Sequence, residues 1–136
     1  PPCTTAMTEA LAVLTTALLF GGMTLYAFGF AAVLFTALPA PLAGATLRKA
    51  FPWFYVFVIA TATLAGLLWW PHDPLATAVM AAVALSTLPV RQWLMPAINR
   101  ATDEGRRRDF QWLHGASVLA TLAHIGAAGW LMWRLV

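Results

Sequence analysis

Long apolar runs separated by three short polar clusters set the pattern of this chain. The runs fall at roughly residues 8–38, 51–70, 74–96 and 110–134, each close to or above the ~20 residues that carry an α-helix across a hydrocarbon core. Between them lie PLAGATLRKAF, the tight PHDP turn and a basic stretch centred on GRRRDF. In lipid every backbone polar group must find its partner within the protein, so runs of this length predict helices. The expected architecture is all-α, an integral membrane four-helix transmembrane bundle forming a single domain over residues 1–136. The first run exceeds what a bilayer needs, so its helix is expected to tilt or project. Gly21, Gly22 and Gly29 offer it a smooth strip for close helix approach. Pro39 and Pro41 are expected to end it, leaving PLAGATLRKAF as a short connection in the headgroup region. In the PHDP turn, Asp73 can cap the third helix and Pro74 can occupy its first turn.

Composition strengthens this picture and charge orients it. The chain is 61% hydrophobic and 10% charged, with a mean hydropathy of +0.76, which excludes an ordinary soluble core. Its start, PPCTTAMTEALAV, lacks the positive n-region of a secretory signal, so the first span is expected to be retained. Arg48, Lys49, Arg91, Arg100, Arg106, Arg107 and Arg108 flank the first and third connections, against Arg134 alone on the other side. That asymmetry predicts cytoplasmic odd-numbered loops with both termini outside, in a bacterial inner membrane. Trp53, Trp93 and Trp112 then fall at the inner interface and Trp69, Trp70, Trp130 and Trp133 at the outer one, all as interfacial anchors. The net charge of +3 sits beside apolar runs, which points to anionic lipid headgroups as partners and not to nucleic acid. Arg106, Arg107 and Arg108 are the natural headgroup contacts. Arg91, about one turn inside the third span, can snorkel to the same level, pair with Asp109 or hold an anion.

Candidate chemistry concentrates in the fourth run. His114, Ser117, Thr121 and His124 recur at spacings of three, four and three, which places them on one helix face. Two readings stand: a polar stripe that hydrogen-bonds to neighbouring helices, or ionisable groups that mark a ligand, ion or proton path. At a rise of about 1.5 Å per residue the two histidines lie about 15 Å apart, too far to share one metal ion. His114, near the basic loop and beside Gly115, is expected to matter more than His124 for folding or partner binding, with Ser117 between them. Cys3 stands alone and the five methionines are scattered, so neither a metal nor a resident cofactor is expected. No nucleophile with its base, paired carboxylates, phosphate-cradling loop or dinucleotide fingerprint occurs, so the protein is not expected to be an enzyme.

Gly22-Met23, Phe28, Leu34-Phe35, Leu38-Pro39, Gly44, Lys49, Phe51-Pro52 with Tyr55, Arg91, Trp93-Leu94, Pro96 and His114-Gly115 with Ser117 follow one another in a specific order. In these residues the chain resembles the transmembrane protein 205 family, small four-helix membrane proteins grouped around a domain of unknown function. The resemblance covers nearly the whole chain, and its first block, GM through LFxxLP to FP, is the most specific part. Four residues after Ser117 that family usually carries Asn where this chain has Thr121. The resemblance implies the fold and topology and an association with handling of platinum compounds, and supplies no reaction. Together with the residues it leaves a non-enzymatic accessory or assembly subunit as the leading expectation, packed against other membrane protein subunits or its own copies. A transporter of a small solute, proton or metal compound is the alternative, and haem or porphyrin binding through a histidine is a weaker one.

Overall fold

Apart from short connections, the computed structural model is helical throughout the residues it describes, 2–135. Helix α1 comprises Pro2–Thr24, a π-helical segment Leu25–Phe30 and Ala31–Ala37. Helix α2 is Ala40–Trp69, and helix α3 comprises Pro74–Pro89, a π-helical segment Val90–Leu94 and Met95–Asp103. Helix α4 is Arg107–Arg134. Among the described residues these four are long and apolar enough to cross a membrane. Each packs on its sequence neighbours, and α4 closes the ring against α1. Connections of two to four residues make successive helices antiparallel, the arrangement of an up-and-down bundle.

Two boundaries differ from the sequence reading. Residues 40–50 are not a connection: α2 begins at Ala40, because Pro41 falls in the first turn, where its missing N–H would have had no intrahelical partner. Pro52 lies inside the same helix without ending it. Helix α3 likewise runs past Pro96 to Asp103. Arg48 fixes these two extensions together. Its guanidinium grips Asp103 through both nitrogens, at 2.8 and 2.7 Å, and donates to the Asn99 carbonyl at 2.8 Å. The α3–α4 turn closes through Gly105, whose φ of 67° suits a residue without a Cβ.

The core is built from small residues, with Ala12, Ala62, Ala65, Ala76 and Ala128 fully buried. Their size lets the helices approach closely, which in a membrane replaces the hydrophobic drive with packing. Helix α2 comes close to α3 at Gly66, where an added Cβ would meet Met80 Cβ at 3.4 Å and the Thr77 carbonyl at 3.8 Å. The expected strip on α1 does not serve this purpose. Gly21 faces open space, Gly29 meets only Leu25 of its own helix, and Gly22 alone receives a neighbour, the Phe57 ring. Trp69 departs from its expected role as well. It is 1% exposed in the core and donates its indole N–H to Thr16 Oγ1 at 3.0 Å. The other six tryptophans are exposed, as interfacial anchors would be.

At the His72 end, polar contacts tie the helix termini. Thr8 Oγ1 and His72 Nε2 are 2.8 Å apart, and Arg134 donates to Asp73 at 2.7 Å. Asp73 caps α3 by accepting from the amides of Leu75 at 2.9 Å and Ala76 at 3.1 Å. The Ala76 amide above all, helped by the Arg134 guanidinium, holds this carboxyl below the usual carboxylate range against the opposing effect of burial.

At the opposite end α1 loosens. Neither its π segment nor Ala31–Ala37 buries a residue fully. An aromatic cluster holds the π segment to α2: Tyr26 stacks on Phe54 with centroids 4.9 Å apart and meets Phe51 edge-on at 5.7 Å.

Candidate functional site

Where α1 loosens, a cleft of about 660 Å³ opens between α2, α3 and α4. Its lining follows helical periodicity on each wall. Helix α2 presents Gly44, Arg48, Phe51 and Tyr55, with Lys49 beside them, while α3 presents Met95, Ile98, Asn99 and Thr102. Helix α4 adds Phe110, His114 and Ser117, and α1 reaches the cleft only through Phe35. Spacings of three and four residues bring each set onto one face. The volume falls within the range of small-molecule sites, and the mixture of apolar walls with a few polar groups is typical of them.

The polar groups differ in how far they are already engaged. Arg48 is committed to Asp103 and the Asn99 carbonyl. Ser117 donates to the His114 carbonyl at 2.8 Å, and Thr102 to the Ile98 carbonyl at 3.0 Å. The His114 ring stacks on Phe110 with centroids 5.3 Å apart and is exposed at the mouth. Tyr55 is 5% exposed and lines the cleft, and since no buried side-chain oxygen among the described residues lacks a hydrogen-bond partner, its hydroxyl, which bonds to none of them, keeps its access to the open cleft. Lys49 likewise makes no ion pair among them, and no Asp or Glu lines the cleft.

The four-residue stripe on α4 therefore divides. His114 and Ser117 enter the cleft, whereas His124 Nε2 lies 2.8 Å from Ser86 Oγ and bridges α4 to α3. Thr121, partly buried between them, makes no hydrogen bond to a described residue. His124 thus holds a cross-helix contact, whereas the His114 ring touches Phe110 of its own helix. The basic candidates lie apart from the cleft. Arg91 Nε donates weakly to the Pro52 carbonyl at 3.4 Å, far from the Asp109 pairing considered from sequence, since Asp109 binds Arg106. Arg106 also pairs with Glu104 at 2.7 Å, and Arg107 and Arg108 stay exposed without an ion pair among the described residues. No three His, Cys, Asp or Glu side chains among the described residues gather closely enough to hold a metal ion.

The sequence reading missed Tyr55, Lys49, Asn99 and Thr102 as members of a site. The available signal was the Gly44, Arg48, Phe51, Tyr55 period, which disappears once residues 41–51 are assigned to a loop.

No curated protein and no solved structure matches this chain. The family described as a domain of unknown function, DUF4149, matches residues 14–107, from within the first α-helical part of α1 to the first residue of α4. The match takes in the α2 and α3 walls of the cleft and stops short of His114 and Ser117. With more than half of its length matched, the chain, with its four span-length helices, belongs to the DUF4149 family.

Proposed function

We propose that this integral membrane protein is a non-enzymatic accessory or assembly subunit that packs within the bilayer against a larger membrane protein complex. The observation that carries this reading is the distribution of mass. Four span-length helices joined by two to four residues leave almost nothing outside the membrane to hold a soluble substrate. Beyond the aromatic cluster, the segment Ala31–Ala37 buries no residue fully and adds an under-packed helix end on which a partner helix can seat. Small-residue cores such as that around Gly66 show how closely these helices can be approached. The orientation we propose has the Arg48 end cytoplasmic and both termini outside, in a bacterial inner membrane, on the strength of the arginine and lysine distribution.

Affinity purification in mild detergent tests the role. A stoichiometric membrane partner is expected, and a lone monomer would overturn the assignment. Single-cysteine variants at Pro71 and Arg107 in a Cys3→Ser background, probed with an impermeant thiol reagent, test the orientation. Pro71→Cys should label from outside, and labelling of Arg107→Cys alone would reverse it. A second reading, transport of a small solute, proton or metal compound, draws on the cleft and on His114 at its mouth. Four helices make a poor alternating-access device alone, so this reading requires oligomerisation. Proteoliposome uptake abolished by His114→Ala is its signature.

A further inference from the structure

We infer that the cleft at the Arg48 end is a specific binding site for an anionic, phosphate-bearing amphiphile, with the phosphate at Lys49 and the apolar part running inward past Phe51 and Met95 to Tyr55. This goes beyond the accessory role and does not depend on it. Three observations converge. The first is charge: the cleft is lined by Arg48, Lys49 and His114 and by no carboxylate. Asp103 neutralises Arg48 from outside the lining, so the Lys49 ammonium carries the free positive charge of the site. The second is the Tyr55 hydroxyl. No buried side-chain oxygen among the described residues is unpaired, so this hydroxyl, on a residue only 5% exposed that lines the cleft, opens into the cleft and is placed to donate to an acceptor there. The third is spacing. Lys49 and Tyr55 are six residues apart on α2, about 9 Å along its axis, with Phe51 and Met95 forming apolar wall between them. A ligand meeting all three requirements is anionic at one end, apolar along its length, and carries an acceptor oxygen inside the apolar part. A glycerol-ester phospholipid has those features in that order. The cleft is too small for a whole two-chain lipid, so the chains leave past the loosely held end of α1.

The test uses the full chain purified in a non-ionic detergent and titrated with phosphatidylglycerol or phosphatidylcholine in mixed micelles, with bound lipid counted by native mass spectrometry. Wild type should prefer phosphatidylglycerol. Lys49→Gln should lose about fivefold of that preference, the loss expected for one basic group near a headgroup, and Lys49→Arg should keep it. Tyr55→Phe should weaken both lipids, because the ester oxygen is common to them. Arg100→Gln, which removes an exposed charge outside the cleft lining, should leave the preference intact. Melting temperatures of all variants separate lost binding from lost folding. Equal losses from Arg100→Gln and Lys49→Gln would reduce the effect to general surface attraction and overturn the site. So would displacement of lipid by inorganic phosphate alone, which would make the ligand a free anion, or equal binding of an uncharged quinone.

Discussion

The Trp69 indole and Thr16 offer a direct measure of how strongly α1 is held to α2. Thr16 is fully buried, accepts from the indole at 3.0 Å and donates to the Ala12 carbonyl at 2.8 Å. Thr16→Val keeps the shape and replaces the acceptor by a methyl, leaving the indole N–H buried and unpaired. A stranded donor costs about 1–3 kcal/mol in proteins generally, but interhelical hydrogen bonds in membranes average about 0.6 kcal/mol and reach about 1.7. The expected loss is therefore about 1 kcal/mol. Trp69→Phe removes the donor and some volume, and should cost about 1–3 kcal/mol through packing. In that background the threonine no longer has an indole to satisfy, so Thr16→Val should cost close to nothing. Reversible unfolding of the four variants in mixed micelles of rising dodecyl sulfate fraction gives the cycle. A coupling of about 0.6–1.7 kcal/mol is expected. Additivity within about 0.5 kcal/mol would show that the bond holds nothing and refute the reasoning.

Other outcomes follow from the same geometry. Asp73→Ala should destabilise by about 0.5–2 kcal/mol by removing the α3 cap, and Asp73→Asn by less, since an amide still caps and only the pairing with Arg134 is lost. Because the folded state holds the Asp73 carboxyl below its ordinary value, its contribution is fully present above the unfolded pKa of about 4 and is lost as pH falls through the lower folded value. Acid titration of the melting temperature should show that loss in wild type and a flatter profile in Asp73→Asn. Gly66→Ala should be tolerated, its Cβ meeting Met80 Cβ at an ordinary 3.4 Å, whereas Gly66→Leu should part α2 from α3 and cost about 1–3 kcal/mol in the same unfolding assay. His124→Ala should lower stability by about 0.6–1.7 kcal/mol through its bond to Ser86, and a larger loss from His114→Ala would contradict the assignment of His114 to the cleft mouth.

The four spans were legible because length and hydropathy are local properties that a bilayer reads one segment at a time. The Asp73 cap was equally legible, since its signal lies within four residues. Trp69 was misjudged because an indole at a helix end serves equally as an interfacial anchor or as a core group, and only the position of Thr16 on another helix decides. The α2 start was hidden by Pro41 and by the charges of Arg48 and Lys49, which read as a loop although a proline is harmless in a first turn. Of the site, His114 and Ser117 were visible as polar residues inside an apolar run. Lys49 and Tyr55 were among the residues that carry the family resemblance, yet no linear spacing joins them to α4. Their meeting depends on α1 giving way, and that is a property of the assembled bundle.

The π segment Leu25–Phe30 gives α1 a phase of its own beyond residue 30. A π turn holds about one residue more than an α turn, so the two ends of this helix are indexed separately against their neighbours. Deleting one residue between Leu25 and Phe30 would restore regular α winding over nearly the same total rotation, because the π turn already absorbs that residue. Leu19 and Met23 before it and Val33 and Phe35 after it would keep their faces. The segment therefore acts as slack in α1, and a chain one residue shorter here would keep both its bundle and its cleft wall.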